Sequence, residues 1–249
     1  MELTTNILLI IIIIVILVLL VNYFKSDKIK LSNLKAGTEE EIIRASNLSS
    51  NSASNNYAYS LWFYVDNWQY KLTDQKILLS RSSKNLSNVN NPLITLAPYE
   101  NNINISITTY SNPDKSKNDI TMSDIPTMTP TCMVSNFPLQ KWVNLILSLN
   151  GRTADIYLDG KLVRTCVLPG VPKIDSDADI HITPDGGFSG WTANFHYWDK
   201  PLNPQEAYNI YKKGYGGGGL FGGLTGMVNK YKLKVSYLVN DKEEGSFEI

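Results

Sequence analysis

The chain has 249 residues, 23 basic and 23 acidic side chains, and a formal net charge of zero. That length suits one large all-β domain or two small ones, and the balanced charge offers no electrostatic grip on nucleic acid. Two cysteines, Cys132 and Cys166, are too few for a disulfide scaffold and lack the spacing of a zinc site.

Residues 1–24 carry the strongest local signal. Ile7 to Val21 contains no polar residue, and the apolar character runs from Leu3 to Phe24 with only Thr4, Thr5, Asn6 and Asn22 interrupting it. At about 1.5 Å per residue that span is roughly 33 Å, enough for a hydrocarbon core of about 30 Å. A cleaved signal peptide fits poorly, because "MELTTN" has no basic residue and "VNYFKSD" has no small-x-small cleavage site. The segment therefore reads as a retained transmembrane anchor in a lipid membrane. Lys25, Lys28, Lys30 and Lys35 flank its C-terminal end, and no Lys or Arg precedes it, so the positive-inside tendency puts the rest of the chain on the cytosolic side. Three glycosylation triplets, at Asn47, Asn85 and Asn104, argue for the other side, but so Asn-rich a chain yields about four by chance.

Residues 25–56 read as a polar stalk, with one short helix over "TEEEIIRA" where Thr38 and Glu41 have capping-box spacing. From Tyr57 the pattern changes to strands. "YAYSLWFYV" is aromatic and long enough for a core strand, and "KILLSR", "PLITLAP" and "NINISITTY" follow between Asn- and Ser-rich turns. Ile103, Ile105 and Ile107 alternate with Asn104, Ser106 and Thr108, a period of two. In "KWVNLILSLN", Val143, Leu145, Leu147 and Leu149 share one face, and "TADIYLDGKLVRTCVL" is a hairpin turning at Asp159-Gly160. "DIHIT" and "GWTANFHYW" complete the set, the latter with Trp191, Phe195 and Tyr197 expected inward and Trp198 outward. A helix follows, capped by Asn203, with Pro204 in its first turn, Glu206 completing the box and Gly214 ending it. Its Ala207, Ile210 and Tyr211 share the face that packs on the sheet.

Three pieces, "YSLWFYV", "KWVNLILSLNGRTADIYLDGKLV" and "FSGWTANFHYWDKPLNPQEAYNIYKKG", resemble in order and spacing the laminin-G-like and concanavalin A-like jelly-roll domains, over residues 57–214. The fold class expected is all-β: a concanavalin A-like jelly-roll sandwich with one short C-terminal helix, preceded by a single transmembrane helix. An anchor joined to one such domain also resembles the minor capsid proteins of large double-stranded DNA viruses.

The resemblance brings glycoside hydrolases into question, and the sequence argues against them. Their retaining members need two carboxylates about 5 Å apart on one strand, whereas Glu occurs in the expected jelly roll only at Glu100 and Glu206. No enzyme activity is expected. "DSDAD" sets Asp175, Asp177 and Asp179 at alternate positions, a possible calcium set on a rim loop of the kind the resemblance implies, set against a merely solvated acidic turn. Trp68, Tyr70 and Tyr99 are candidate rim aromatics for a glycan or a protein partner. His181 and His196 have no acid or Cys beside them and are expected to be structural. Cys132 and Cys166 flank the central hairpin. A cytosolic-side domain keeps them reduced, while a virion matured by dedicated oxidases would bond them.

Residues 215–249 form a glycine-rich segment and a tail in which Tyr231, Leu233, Val235, Tyr237 and Val239 alternate with polar residues, a half-buried strand outside the jelly roll. It is expected either to fold back on its own sheet or to pair with a neighbour. The functional expectation is a non-enzymatic structural protein that links an internal virion membrane to other capsid proteins. The alternative is a membrane-tethered carbohydrate-binding module with a glycan as partner.

Overall fold

The structure, a computed structural model, describes residues 16, 33–48, 56–82, 89–110, 127–216, 234–239 and 242–248. The expected membrane anchor lies, apart from residue 16, outside the described residues, as does the glycine run from 217 to 233. Among the described residues no helix is long and apolar enough to cross a membrane.

Two six-stranded antiparallel sheets face each other. The first runs β1 (Lys35–Ala36), β14 (Ser189–Trp198), β3 (Tyr57–Asn67), β10 (Trp142–Asn150), β11 (Thr153–Leu158), β12 (Lys161–Val167). The second runs β2 (Glu41–Ile43), β13 (Ile180–Ile182), β4 (Lys76–Ser82), β5 (Asn90–Leu96), β6 (Ile103–Ser106), β9 (Thr131–Val134). A two-residue pair, β7 (Thr109–Tyr110) with β8 (Thr127–Met128), lies beyond β6. The non-consecutive neighbours in both orders are those of a jelly roll, in which each sheet takes strands from distant parts of the chain.

Alternation builds the core. In β3, Tyr57, Tyr59, Leu61, Phe63 and Val65 point between the sheets, and in β10 Val143, Leu145, Leu147 and Leu149 do the same. Ile103 and Ile105 of β6 meet them from the second sheet, as their period of two requires. The outer side of the first sheet is covered as well. Helix α1 (Pro204–Lys213) seals it, with Ala207 and Leu202 against Ala58, Ile146 and Tyr157. Its start is the expected capping box: Asn203 accepts from the Glu206 amide while the Glu206 carboxylate accepts from the Asn203 amide. At the hairpin turn both Asp159 (φ 49) and Gly160 (φ 73) are left-handed, as the Asp-Gly pair dictates.

Three sequence expectations need correction. Strands β1 and β2 lie within the stretch expected to be a stalk, and no helix forms over 38–45, only a 3-10 turn at Ala45–Asn47. The β-branched pair Ile42-Ile43 covers the open edge of β13, and Gly37 bonds to both Gly190 and Phe188, so this segment completes both sheets. Second, Trp191 faces outward. β14 carries a bulge between Ala193 and His196, with Asn194 at φ 53, and the extra residue reverses the face of everything before it. Phe195 and Tyr197 remain inward. Third, the alternating tail is strand β15 (Lys234–Val239), and its partner is β16 (Lys242–Glu248), a strand the polar "KEEGSFE" conceals. The two form a hairpin of their own, paired with neither large sheet.

Candidate binding face

The outer side of the first sheet places aromatic rings in a row. Because the even-numbered residues of β3 point outward, Trp62 and Tyr64 stand beside Trp142 of β10 and Trp191 of β14, whose bulge has turned it to this side. Helix α1 then delivers Tyr211 and, just past its end, Tyr215. The rings touch in sequence: Trp191 to Tyr64 at 5.6 Å, Tyr64 to Trp142 at 5.8 Å, and Trp142 to Tyr215 at 4.5 Å and nearly parallel at 10°. Tyr215 reaches Trp62 edge-on at 6.1 Å, and Trp62 stacks on Tyr211 at 5.7 Å. Trp191 is 42% exposed and Tyr215 37%, so the ribbon opens to solvent at both of those rings.

Beneath the ribbon lie polar atoms that the fold leaves unmet. Trp62 Nε1, Asn144 Oδ1 and Asn194 Oδ1 are buried and have no hydrogen-bond partner among the described residues. The amide nitrogens of both asparagines are used: Asn144 Nδ2 donates to Ser60 Oγ and Asn194 Nδ2 to the Gly214 carbonyl. Beside the helix, His196 stacks on Trp198 at 5.5 Å and floors a hollow of about 190 Å³ bounded by Lys200, Glu206 and Lys213.

The acidic loop of Asp175, Asp177 and Asp179 lies beside the 3-10 turn. Among the described residues no group of three His, Cys, Asp or Glu side chains is placed to hold a metal ion. Asp175 Oδ1 accepts from the Asp177 amide in a tight turn, and Asp179 Oδ1 accepts from the Ala45 amide of the 3-10 turn. The loop is held from inside. Arg81, only 6% exposed, donates to the carbonyls of Ala178 and Ser176 and to the Tyr59 hydroxyl. Burial pushes the Tyr59 phenol up to about 12 against the pull of that guanidinium. An open hollow of about 560 Å³ lies between the loop and the 3-10 turn, lined by Arg44, Ser46, Leu48, Ser176, Asp177 and Asp179.

The rim aromatics serve packing more than display. Trp68 packs on the core edge-on to Phe137, and its Nε1 donates to the Tyr99 carbonyl. The buried Lys76 ammonium sits 4.2 Å over the Trp68 ring, and burial lowers its pKa. Tyr70 donates to the Gly186 carbonyl. Tyr99 alone is strongly exposed. These three residues do not join the ribbon, and the ribbon residues themselves went unmarked in sequence except Tyr211, expected to pack on the sheet, and Trp191, placed on the wrong face. His181 pairs through Nδ1 with Glu40 at 2.6 Å, tying β13 to the segment before β2.

No described strand carries acidic residues at alternate positions. Glu100 accepts from Asn102, and Glu206 caps the helix. Cys132 and Cys166 are joined in a disulfide, with Cα atoms 6.3 Å apart.

Residues 37–207, which span both sheets apart from β1 and the start of the capped helix, match a family model, that of the concanavalin A-like lectin/glucanases superfamily. The chain belongs to this superfamily. In fold it is similar to the receptor binding domain of botulinum neurotoxin C/D mosaic serotype, with a TM-score of 0.54 and 12% identity over 73% of this chain and 43% of that one. The receptor binding domain of botulinum neurotoxin D gives a TM-score of 0.50 and 12% identity over 74% and 52%. The serotype D ligand binding domain in complex with N-acetylneuraminic acid gives 0.50 and 12% over 75% and 51%. The chain spans about half the length of each of these domains, and at such identity the likeness is one of fold. Compared with the curated proteins, the sequence gives no match.

Proposed function

We propose that the chain is a non-enzymatic, lectin-like module tethered to a membrane by residues 1–24, and that it binds carbohydrate on the outer face of its first sheet. The observation that carries this is the ribbon from Trp191 to Tyr211, a run of touching rings whose Trp191 and Tyr215 members are exposed on the outer side of the first sheet. Sugar rings present flat C–H faces that stack on such rings. Superfamily membership supports the reading, since its description includes lectins. The sugar acid in the complex named above belongs to that neurotoxin domain and locates no site here. The lack of alternating carboxylates on any described strand argues against hydrolysis, and the uninterrupted Ile7–Val21 run argues for the tether.

The test uses the full chain in detergent micelles on a glycan array. Retention is expected, weakened about tenfold by Trp191→Ala, the loss of one stacked ring at about 1.4 kcal/mol. Absence of binding to every glycan would overturn the reading.

The β15–β16 hairpin favours a second reading. It pairs with neither large sheet, and among the described residues no third strand pairs with it, which suits strand addition by another protein. On this reading the domain bridges an internal virion membrane and the capsid shell. Co-sedimentation of the full chain with particles, resistant to salt and lost on detergent, is the result it requires.

A further inference from the structure

We propose that the slot roofed by Tyr215 is a subsite for one neutral pyranoside ring, and that the Tyr215 ring is its internal stand-in. The proposal rests on the carbohydrate reading and deepens it by naming the atoms.

Three neighbouring strands set the floor. Ala193 of β14, Trp62 of β3 and Asn144 of β10 lie opposite one another in register, and Asn194 follows in the bulge. Trp62 and Asn194 are each 4% exposed and Asn144 is fully buried, yet Trp62 Nε1 and both asparagine Oδ1 atoms lack partners among the described residues. An unmet buried polar atom costs about 1–3 kcal/mol, and folded proteins carry few of them. Of the four such side-chain atoms among the described residues, three gather here; the fourth, Lys76 Nζ, sits over the Trp68 ring. A site that must hydrogen-bond a ligand has reason to keep such atoms unmet.

Tyr215 occupies the position a ring ligand would take. It lies parallel to Trp142 at 4.5 Å, with its edge toward Trp62. Its attachment is light. It follows Gly214, whose φ is 73 and beside which no atom lies within 4 Å of where a Cβ would stand. The Gly214 amide bonds to Tyr211 and its carbonyl to Asn194. Rotation about Gly214 would lift the ring off Trp142 and Trp62 and break the bond from Asn194 to the Gly214 carbonyl, freeing the Asn194 amide as a further donor.

The atoms select the ligand. One indole donor and two amide acceptors match hydroxyl groups, each of which both donates and accepts. The charges beside Asn144 neutralise each other, since Lys141 pairs with Asp159, which also accepts from the Asn144 amide. An anion would face two carbonyl oxygens and be repelled. An unsubstituted aromatic ring would stack but leave the polar atoms unmet. A neutral pyranoside satisfies both demands.

The experiment is titration of the full chain in micelles with a panel of methyl pyranosides, read by tryptophan fluorescence and calorimetry. Tyr215→Ala removes the stand-in and is expected to tighten binding about fivefold to tenfold, while Tyr215→Phe, which keeps the stack, matches the wild type. Asn144→Leu and Asn194→Leu are expected to weaken binding about tenfold each, in variants whose circular dichroism is unchanged. Pyranoside binding in Tyr215→Ala alone still supports the slot, closed in the wild type. Binding that is lost in Trp191→Ala but indifferent to Tyr215, Asn144 and Asn194 overturns the slot and leaves the carbohydrate reading standing. Absence of binding in every variant overturns both.

Discussion

Cys132 on β9 and Cys166 on β12 are bonded across the outermost strands of the two sheets, closing one side of the sandwich. The bond ties residues 34 apart in sequence. A cross-link of that span lowers the entropy of the unfolded chain by the equivalent of about 3–4 kcal/mol. Reduction, or the Cys132→Ala/Cys166→Ala double variant, is therefore expected to lower the melting temperature by about 10 °C. Thermal melts with and without reductant check this. An unchanged midpoint would mean that the bond is absent from the folded protein.

The burial of Tyr59, which outweighs the opposing pull of Arg81, predicts loss of stability in alkali. The folded protein holds the Tyr59 proton until about pH 12, whereas an exposed phenol releases it near its ordinary value of 10.0. The stabilisation is thus complete below pH 10 and fades as pH rises from 10 to 12. It amounts to about 2–3 kcal/mol, and Tyr57 and Tyr197, also raised by burial, act in the same direction. Denaturant melts at pH 8, 10 and 11.5 should show a progressive fall, shallower in Tyr59→Phe. Equal slopes in both proteins would remove Tyr59 from the account.

Gly160 and Gly151 provide a matched pair. Both are left-handed, but a Cβ on Gly160 would meet Tyr211 Cβ at 2.9 Å and Tyr208 Cα at 3.1 Å, while nothing lies within 4 Å at Gly151. Gly151→Ala carries only the backbone cost, about 1–2 kcal/mol. Gly160→Ala adds the clash that pushes α1 off the turn, for a total of about 3–4 kcal/mol. Chemical denaturation of the two variants checks the difference, and equal losses would show that the helix yields freely.

Much of the fold was legible because its signals are local. The Ile103-Ile105 alternation, the Asp159-Gly160 turn and the Asn203–Glu206 box each depend on residues within a few positions of one another, and each is found as the sequence implied. What escaped depends on distant partners. Strands of two and three residues such as β1 and β2 have no measurable period. A single inserted residue at Asn194 turned Trp191 to the opposite face, and no composition marks a bulge. The ribbon was hidden for a further reason. In "YAYSLWFYV" both faces are covered, one by the second sheet and the other by α1 and the ribbon rings, so apolar residues occupy odd and even positions alike and the outward set cannot be picked out. Trp68 and Tyr70 looked like display residues because they follow a strand end, yet the chain folds back to bond them.

The last prediction concerns the β15–β16 hairpin. Its ladder joins Lys234 to Glu248 through Val239 to Lys242, and no strand of either large sheet shares a ladder with it. The sandwich meanwhile completes its two sheets from residues 35–198 and its helical cover by Lys213. A chain ending after Gly216 therefore keeps every strand pair of both sheets, the disulfide, and the stack of Tyr215 on Trp142. Deleting 217–249 is expected to leave the thermal midpoint of the domain within about 2 °C of the full chain, a change of no more than about 0.5 kcal/mol. The same deletion separates the two functional readings. Pyranoside binding should survive it, because every ribbon residue is retained, whereas co-sedimentation with particles should be lost if the hairpin edges dock to a protein. An outright loss of the folded transition would show that the hairpin belongs to the core of the sandwich.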